Sequence, residues 1–336
     1  MNLLIHRVFI NGTPFNLGLI LIICCGEALI DMVPVLSDSG QTSFTPLVGG
    51  AIFNTAIGLG RLGAEVGMVS GISNDLFGEQ LHDALVTSQV NTSYLVRSDL
   101  PTTLAFVSFN EGHANYTFYD ENSAGRSVNI KHIPNLKASS VARQSLSALY
   151  VGGISLINEP AASSYCDLVK QYADDTVIIL DPNIRENFIN DVHCYRQRLQ
   201  GIIEVADIIK VSDEDLDWLV GSHADEEQQV GLLRGTSTAI VVVTKGADGA
   251  TAYLNSGEKV HQEAPNVFVV DTVGAGDTFN AGFMAKIVEQ NLMSKRALAH
   301  ISLAELLASL TYAVKVAAIN VARQGANPPW ISDLKT

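Results

Sequence analysis

The sequence predicts an α/β fold: a central, mostly parallel sheet flanked by helices, with a small separate β-sheet. Three observations predict it. Apolar runs of strand length, at 19–25, 66–69, 176–180 and 239–244, alternate with stretches of helical period, the rhythm of βα units. Polar and glycine residues collect just after several of these runs, where open α/β sheets place ligand-binding groups. Two alternating segments, 102–108 and 114–119, are joined by Asn110, Glu111, Gly112 and His113. This hairpin pattern interrupts the βα series and calls for a sheet of its own.

A chain of 336 residues suits one large α/β domain, or one with a small appendage. With 47% hydrophobic and 17% charged residues it is globular with a sizeable core. A formal charge of −14 argues against nucleic acid or an anionic membrane surface as partner. A phosphorylated ligand must then be held by local amides, a few basic residues and a metal ion. Cys24 and Cys25 are adjacent and Cys166 and Cys194 isolated, with neither zinc spacing nor a disulfide framework. A reducing, cytoplasmic setting is expected.

The apolar stretch 17–25 is nine residues long, too short to span a bilayer. It reads as a buried first strand, 19–25, entering Gly26. Residues 1–16 read as an extension of the folded domain, 17–336. Asp31 follows in GEALID, as a ligand-binding group beyond the strand or as a solvated loop carboxylate. Residues 32–47 lack a helical period and read as short strands or loop. Gly49 and Gly50 open a helix with an apolar face of Ile52, Ala56, Leu59 and Leu62, closed by Gly63, with strand 66–69 next. Gly58, Gly60 and Gly63 spell G-x-G-x-x-G, but with the helix before and the strand after. A dinucleotide fingerprint needs the reverse order, so these glycines are assigned to close packing and a helix stop.

Residues 75–86 form an amphipathic helix with His82 on its polar face. Phe106, Tyr116, Phe118 and Tyr119 of the hairpin are the core of the small sheet or the wall of a pocket. Strand 148–151 and helix 161–172 resume the βα rhythm. Strand 176–180 ends in DPNIR, placing Asp181, Asn183 and Arg185 at its carboxyl end. Residues 202–206 read as helix, 207–210 as a strand running into VSDEDL, and 239–244 as a strand ending in Lys245, Gly246 and Gly249. Tyr253 and Val260 mark another hairpin, and 305–320 is a long apolar helix.

The stretch 271–283, DTVGAGDTFNAGF, carries the chemistry. It is expected to follow a buried strand at 267–270 and to enter a helix around Thr278. The first amides of a helix lack intrahelical acceptors, and glycines let the backbone approach an anion closely. Gly274, Ala275 and Gly276 therefore form an oxyanion or phosphate site. Asp277 would repel that anion unless it works as a general base on an attacking hydroxyl; the other reading is a cap on its own helix.

These residues carry a resemblance. DTVGAGDTFNAG, the pair Gly49–Gly50 followed by Asn54, and the GEALID start resemble the PfkB carbohydrate kinases, the ribokinase-like family, over roughly residues 20 to 330. DPNIR, KVSDEDL and GANPP look most like its bacterial fructokinases and 2-keto-3-deoxygluconate kinases. The resemblance implies Asp277 as catalytic base with Gly274, Ala275 and Gly276 as anion hole. It implies Asp31, Gly49, Gly50, Asn54 and Arg185 at the sugar, and Lys210, Thr244, Lys245, Gly246 and Gly249 along ATP, with Asn320 near the adenine. Asp271 would border a monovalent-cation site, K⁺ among the candidates. Segments 32–46 and 100–122 would form a lid, through which two copies could pair.

Three positions depart from the family pattern. Ser212-x-x-Asp215 replaces N-x-x-E, so Asp215 would hold Mg²⁺ through water, as this ion favours. Ile52 stands where proline is common, and the lid ends in SAGR, Ser123 to Arg126, where an acidic residue commonly follows the alanine. The resemblance implies transfer of a γ-phosphate to a primary sugar hydroxyl, with fructose first, and 2-keto-3-deoxygluconate, ribose or adenosine as alternatives. A sugar or nucleotide sensor on the same fold is the reading from another class. No G-x-x-x-x-G-K-[ST] is present, which excludes a P-loop enzyme.

Overall fold

The computed structural model describes residues 9–10, 13–14, 19–36, 40–110, 113–137, 144–222 and 225–335. Most of the expected extension, 1–16, lies outside the described residues, apart from a short pairing of Phe9–Ile10 (β1) with Thr13–Pro14 (β2). The first long strand is Leu19–Cys25 (β3), at the limits its apolar run predicts. Leu21 to Cys25 are almost completely buried, as expected of a strand covered on both faces.

Asp31 does not follow β3 in a loop. It lies within a further strand, Leu29–Leu36 (β4), which pairs antiparallel with Thr42–Gly49 (β5). The chain leaves the main sheet within Gly26–Ala28 and starts a second sheet at once. Helix Ala51–Arg61 (α1), strand Val66–Val69 (β6), the short strand Gly71–Ser73 (β7) and helix Leu76–Thr87 (α2) follow. Asp75 caps α2 by accepting from the Gly78 amide at 2.8 Å. Val96–Ser98 (β8) pairs with β7, and Leu104–Asn110 (β9) and His113–Tyr119 (β10) form the expected hairpin. The small sheet has the order β10-β9-β4-β5.

Strands Gln144–Gly152 (β11) and Val177–Asp181 (β12) flank helix Ala161–Tyr172 (α3). Helix Val192–Ile203 (α4) sits ten residues ahead of the expected 202–206, which catches only its last turn. Strand Ile208–Ser212 (β13) is followed by helices Asp213–Val220 (α5) and Glu226–Leu233 (α6), neither of which the periodicity signalled. Strands Ile240–Thr244 (β14), Ala250–Leu254 (β15) and Lys259–Gln262 (β16) finish the large sheet, ordered β16-β15-β14-β13-β12-β11-β3-β6. Its six strands from β14 to β6 run parallel, and β15 and β16 are an antiparallel edge.

The strand expected at 267–270 is absent. Residues 263–269 belong to no strand, and Phe268, Val269 and Val270 are exposed, Phe268 by 84%. The sheet has already ended at β16, so this apolar run has no neighbour to pair with. Instead the Val270 and Asp271 amides donate to the Val321 carbonyl. Helix Ala275–Glu289 (α7) then begins three residues before Thr278, which puts Asp277 in its first turn. After the short helix Lys295–Leu298 (α8), helix Leu303–Val321 (α9) starts on a Ser302–Glu305 capping box and packs along α7. Two core layers result, one on each face of the sheet.

Candidate active site

The glycines of α1 fix the site before any ligand is considered. A Cβ on Gly58 would lie 2.6 Å from Ala281 Cβ, so α1 and α7 approach through bare backbone. That approach brings Asn54, on α1, to Asp277, on α7: Asn54 Nδ2 donates to Asp277 Oδ2 at 2.9 Å. Thr55, one residue on, places its hydroxyl 3.2 Å from the Asp277 carbonyl. Asp277 is 8% exposed. Burial pushes its carboxyl up to about 7, with Asp181 adding to the rise; the Asn54 amide, Arg185 and Lys210 pull it down.

Gly274 caps α7 in the left-handed region, φ 72°, where a side chain would be strained. A Cβ there would also stand 2.6 Å from Ala326 Cβ. The Ala275 amide donates to the Thr272 carbonyl at 3.2 Å. The first-turn amides without an acceptor among the described residues are therefore those of Gly274, Gly276 and Asp277. Lys210 Nζ lies 3.4 Å from where a Gly276 Cβ would be, and pairs with Asp181 Oδ2 at 3.1 Å. Bare amides, a helix N-terminus and one ammonium thus converge on one spot.

That spot lines a cavity of about 330 Å³. Of the expected residues, Asp31, Gly50, Asn54, Arg185, Lys210 and the 274–277 turn line it. Burial raises the Asp31 carboxyl to about 6, against the pull of Arg185. Gly49 lies beneath: a Cβ there would fall 2.2 Å from Asp31 Oδ2, so its role is to leave room for that carboxylate. Of the four hairpin aromatics, Tyr116 and Phe118 reach the cavity from β10 as pocket wall, whereas Phe106 packs between Phe44 and Tyr119 on the small sheet. Phe118 also packs on Phe188, ring centroids 4.6 Å apart, tying the small sheet to the main one.

The remaining expected residues lie outside this cavity. Thr244, Lys245, Gly246 and Gly249 sit together at the carboxyl end of β14, with Lys245 paired to Glu226 at 2.6 Å. Asn320 is fully buried, its amide donating to the Val273 carbonyl and its oxygen accepting from the Asn327 amide. It braces the loops beside the glycine turn. Asp271 accepts from the Val273 and Gly325 amides. Asp215 is pushed up to about 6 by burial and by Asp181, with Lys210 opposing; its Oδ1 accepts from the Ile184 amide.

Sequence reasoning missed Glu27. This buried carboxylate lines the cavity and accepts from the Ala51 and Ser155 amides at 3.1 and 3.3 Å. It holds the start of α1, and Gly153 is required beside it, since a Cβ there would meet Glu27 Oε1 at 2.2 Å. Asn183, also missed as a lining residue, takes φ 44°, uncommon for a non-glycine. Its place in DPNIR after β12 was the available signal.

Residues 20–333 match the family described as pfkB family carbohydrate kinase. A fructokinase of Rhizobium leguminosarum bv. trifolii is 43% identical over 279 residues, 83% of each chain. A fructokinase of Escherichia coli is 28% identical over 270 residues, 80% of this chain and 84% of its own. The crystal structure of a Xylella fastidiosa fructokinase with bound ATP superposes with a TM-score of 0.82 at 26% identity, over 94% of this chain and 97% of that one. With a glycine turn, a buried first-turn aspartate and a sugar-sized cavity in one place, the chain belongs to the PfkB family of carbohydrate kinases, phosphotransferases with an alcohol group as acceptor.

Proposed function

We propose that this protein transfers the γ-phosphate of ATP to a primary hydroxyl of fructose, giving fructose 6-phosphate. The observation that carries the reading is the cavity itself. Amides without an acceptor among the described residues, the Lys210 ammonium, Asp31, Asn54, Arg185 and Asp277 line one space, with Asn54 donating to Asp277. The fructokinase relative at 43% identity supports fructose over other sugars, and the ATP-bound fructokinase supports ATP as phosphoryl donor.

Asp277 accepts the proton of the sugar hydroxyl as it attacks the γ-phosphorus in line. Asn54 holds Oδ2 of that carboxylate, which leaves Oδ1 to face the hydroxyl. The Gly274, Gly276 and Asp277 amides and Lys210 neutralise charge on the transferred group. Positioning and charge neutralisation are most of what phosphoryl transfer needs. Tyr116 and Phe118 cover the sugar from the small sheet, and closure there excludes water as a competing acceptor.

The donor set fits a hydrated Mg²⁺ bound mainly through its waters. Asp181 is close enough to Asp215 to help raise its carboxyl, and Asp181 Oδ1 is buried without a partner among the described residues. Mg²⁺ keeps several waters and needs only one or two carboxylates with the phosphates. It would supply charge neutralisation between phosphate oxygens. The 244–249 loop is the expected nucleotide contact beyond the cavity. Val35, Leu36, Phe44 and Leu47 are exposed on β4 and β5 and suit pairing with a second copy through the small sheet.

A coupled ADP-release assay over fructose, ribose, 2-keto-3-deoxygluconate and adenosine tests the reading. Fructose is expected to give the highest kcat/KM. ATP consumption indifferent to every sugar would overturn the kinase assignment, and preference for the keto-acid would move the substrate alone.

A further inference from the structure

Asn280 lies one turn beyond Asp277 on α7 and is 4% exposed. Both protons of its amide are used. Nδ2 donates to the Tyr150 hydroxyl at 2.9 Å and to Asp181 Oδ2 at 2.6 Å. Asp181 is 1% exposed, its Oδ2 also accepts from Lys210 Nζ, and its Oδ1 has no partner among the described residues. Tyr150 is fully buried on β11, 3.4 Å from the Thr55 hydroxyl, which reaches the Asp277 carbonyl. One primary amide therefore links α7, β11, β12 and, through Asp181, Lys210 on β13.

The two bonds bear on two things that phosphoryl transfer needs held still. Through Asp181 they fix the ammonium against Gly276. Through Tyr150 and Thr55 they fix the first turn of α7. Without Asn280, this buried carboxylate would keep Lys210 as its one side-chain donor among the described residues. Such a carboxylate draws its cation in or admits water. Either change takes the ammonium away from the glycine turn.

We propose that Asn280 is a positioning residue for phosphoryl transfer, sharing Asp181 with Lys210 so that the ammonium stays turned to the phosphoryl site. The inference rests on the sugar-kinase reading above. It predicts a loss in the chemical step more than in sugar binding. Charge-assisted hydrogen bonds lost here should lower kcat by about 10- to 100-fold, with the sugar KM nearly unchanged. The groups facing Asp277 are Asp181, Arg185, Lys210, the Asn54 amide and the Tyr150 and Tyr116 phenols. With Asp181 less neutralised, the rising limb of the pH–kcat profile should move to higher pH.

The test compares the unaltered chain with Asn280→Leu, Asn280→Ser, Asp181→Asn and the Asn280→Leu/Asp181→Asn pair. Folding is read from thermal melting, and kcat, both KM values and the pH profile from ADP release. Asn280→Ser, small and with one donor, should fall between the unaltered chain and Asn280→Leu. In the Asp181→Asn background Asn280→Leu should add little, because the partner it acts through is already neutral. Full loss in both backgrounds, an unmoved pH profile, or lowered melting with normal kcat would overturn the inference alone. Absence of sugar-dependent ADP release from the unaltered chain would overturn the kinase reading and this inference with it.

Discussion

A carboxyl held near neutrality can accept a proton at physiological pH and release it again, and burial places Asp277 there, at about 7. Asp277→Asn should therefore keep ATP binding, measured by calorimetry, and lose about 10²- to 10⁴-fold in kcat. Near-normal kcat in that variant would remove Asp277 from the mechanism. The sign of the pH effects follows from the same burial. In the proposed role of base Asp277 works deprotonated, so kcat should rise with pH through about 7. Stability should run the other way. The folded carboxyl binds its proton more tightly than an ordinary aspartate, so Asp277 costs stability increasingly as pH rises from about 4 through about 7. The asparagine variant should melt at least as high as the unaltered chain at pH 8, and gain less at pH 5. Asn54 opposes the rise by donating to Oδ2. Asn54→Ala should move the rising limb of the pH–kcat profile to higher pH; a shift to lower pH would mean that the donation is not made in solution.

At the scale of elements, the site depends on a helix pair brought together by glycine. Gly58→Val must displace Ala281 or part α1 from α7. Overpacking of this kind costs about 1–3 kcal/mol, so melting should fall, and kcat should fall with it as Asn54 leaves Asp277. A stabilised or unaffected Gly58→Val would show that the helices have slack. Gly276→Val is the contrasting case, because its added carbons would point at Lys210 Nζ and the phosphoryl site. It should lower kcat much more than it weakens sugar binding by equilibrium titration. Much of this was legible in the sequence: α3, β3 and β6 lie where periodicity put them, and Gly58 and Gly60 pack closely as assigned. What was not legible depended on distant chain. The apolar run 267–270 looks like a strand locally, and only the edge at β16 leaves it unpaired. Glu27 has no local signature, since Gly153 and the start of α1 create its environment.

At the scale of the whole molecule, the residues proposed to hold the sugar come from two sheets that the sequence could not assign to each other. Asp31 comes from β4 of the small sheet, whereas Arg185 follows β12 of the large one, and both line the cavity, near enough for Arg185 to pull the Asp31 carboxyl down. Net charge of −14 offers a sugar acid no general attraction, so recognition of a carboxylate would fall to Arg185. In the structure Arg185 Nη1 donates to the Ile184 carbonyl at 2.9 Å, an arrangement that holds the guanidinium against its own backbone. A neutral ketose needs acceptors and donors for hydroxyls, which Asp31 and Asn54 supply. Asp31→Ala should then raise the KM for fructose steeply, and Arg185→Lys should change it little. A sugar acid would reverse the order, because lysine cannot form the two-pronged contact of a guanidinium with a carboxylate. Measuring kcat/KM for fructose and 2-keto-3-deoxygluconate in both variants separates the cases. A severe loss on fructose in Arg185→Lys, with Asp31→Ala near normal, would place the sugar's anchor on the large sheet and overturn the neutral-ketose reading.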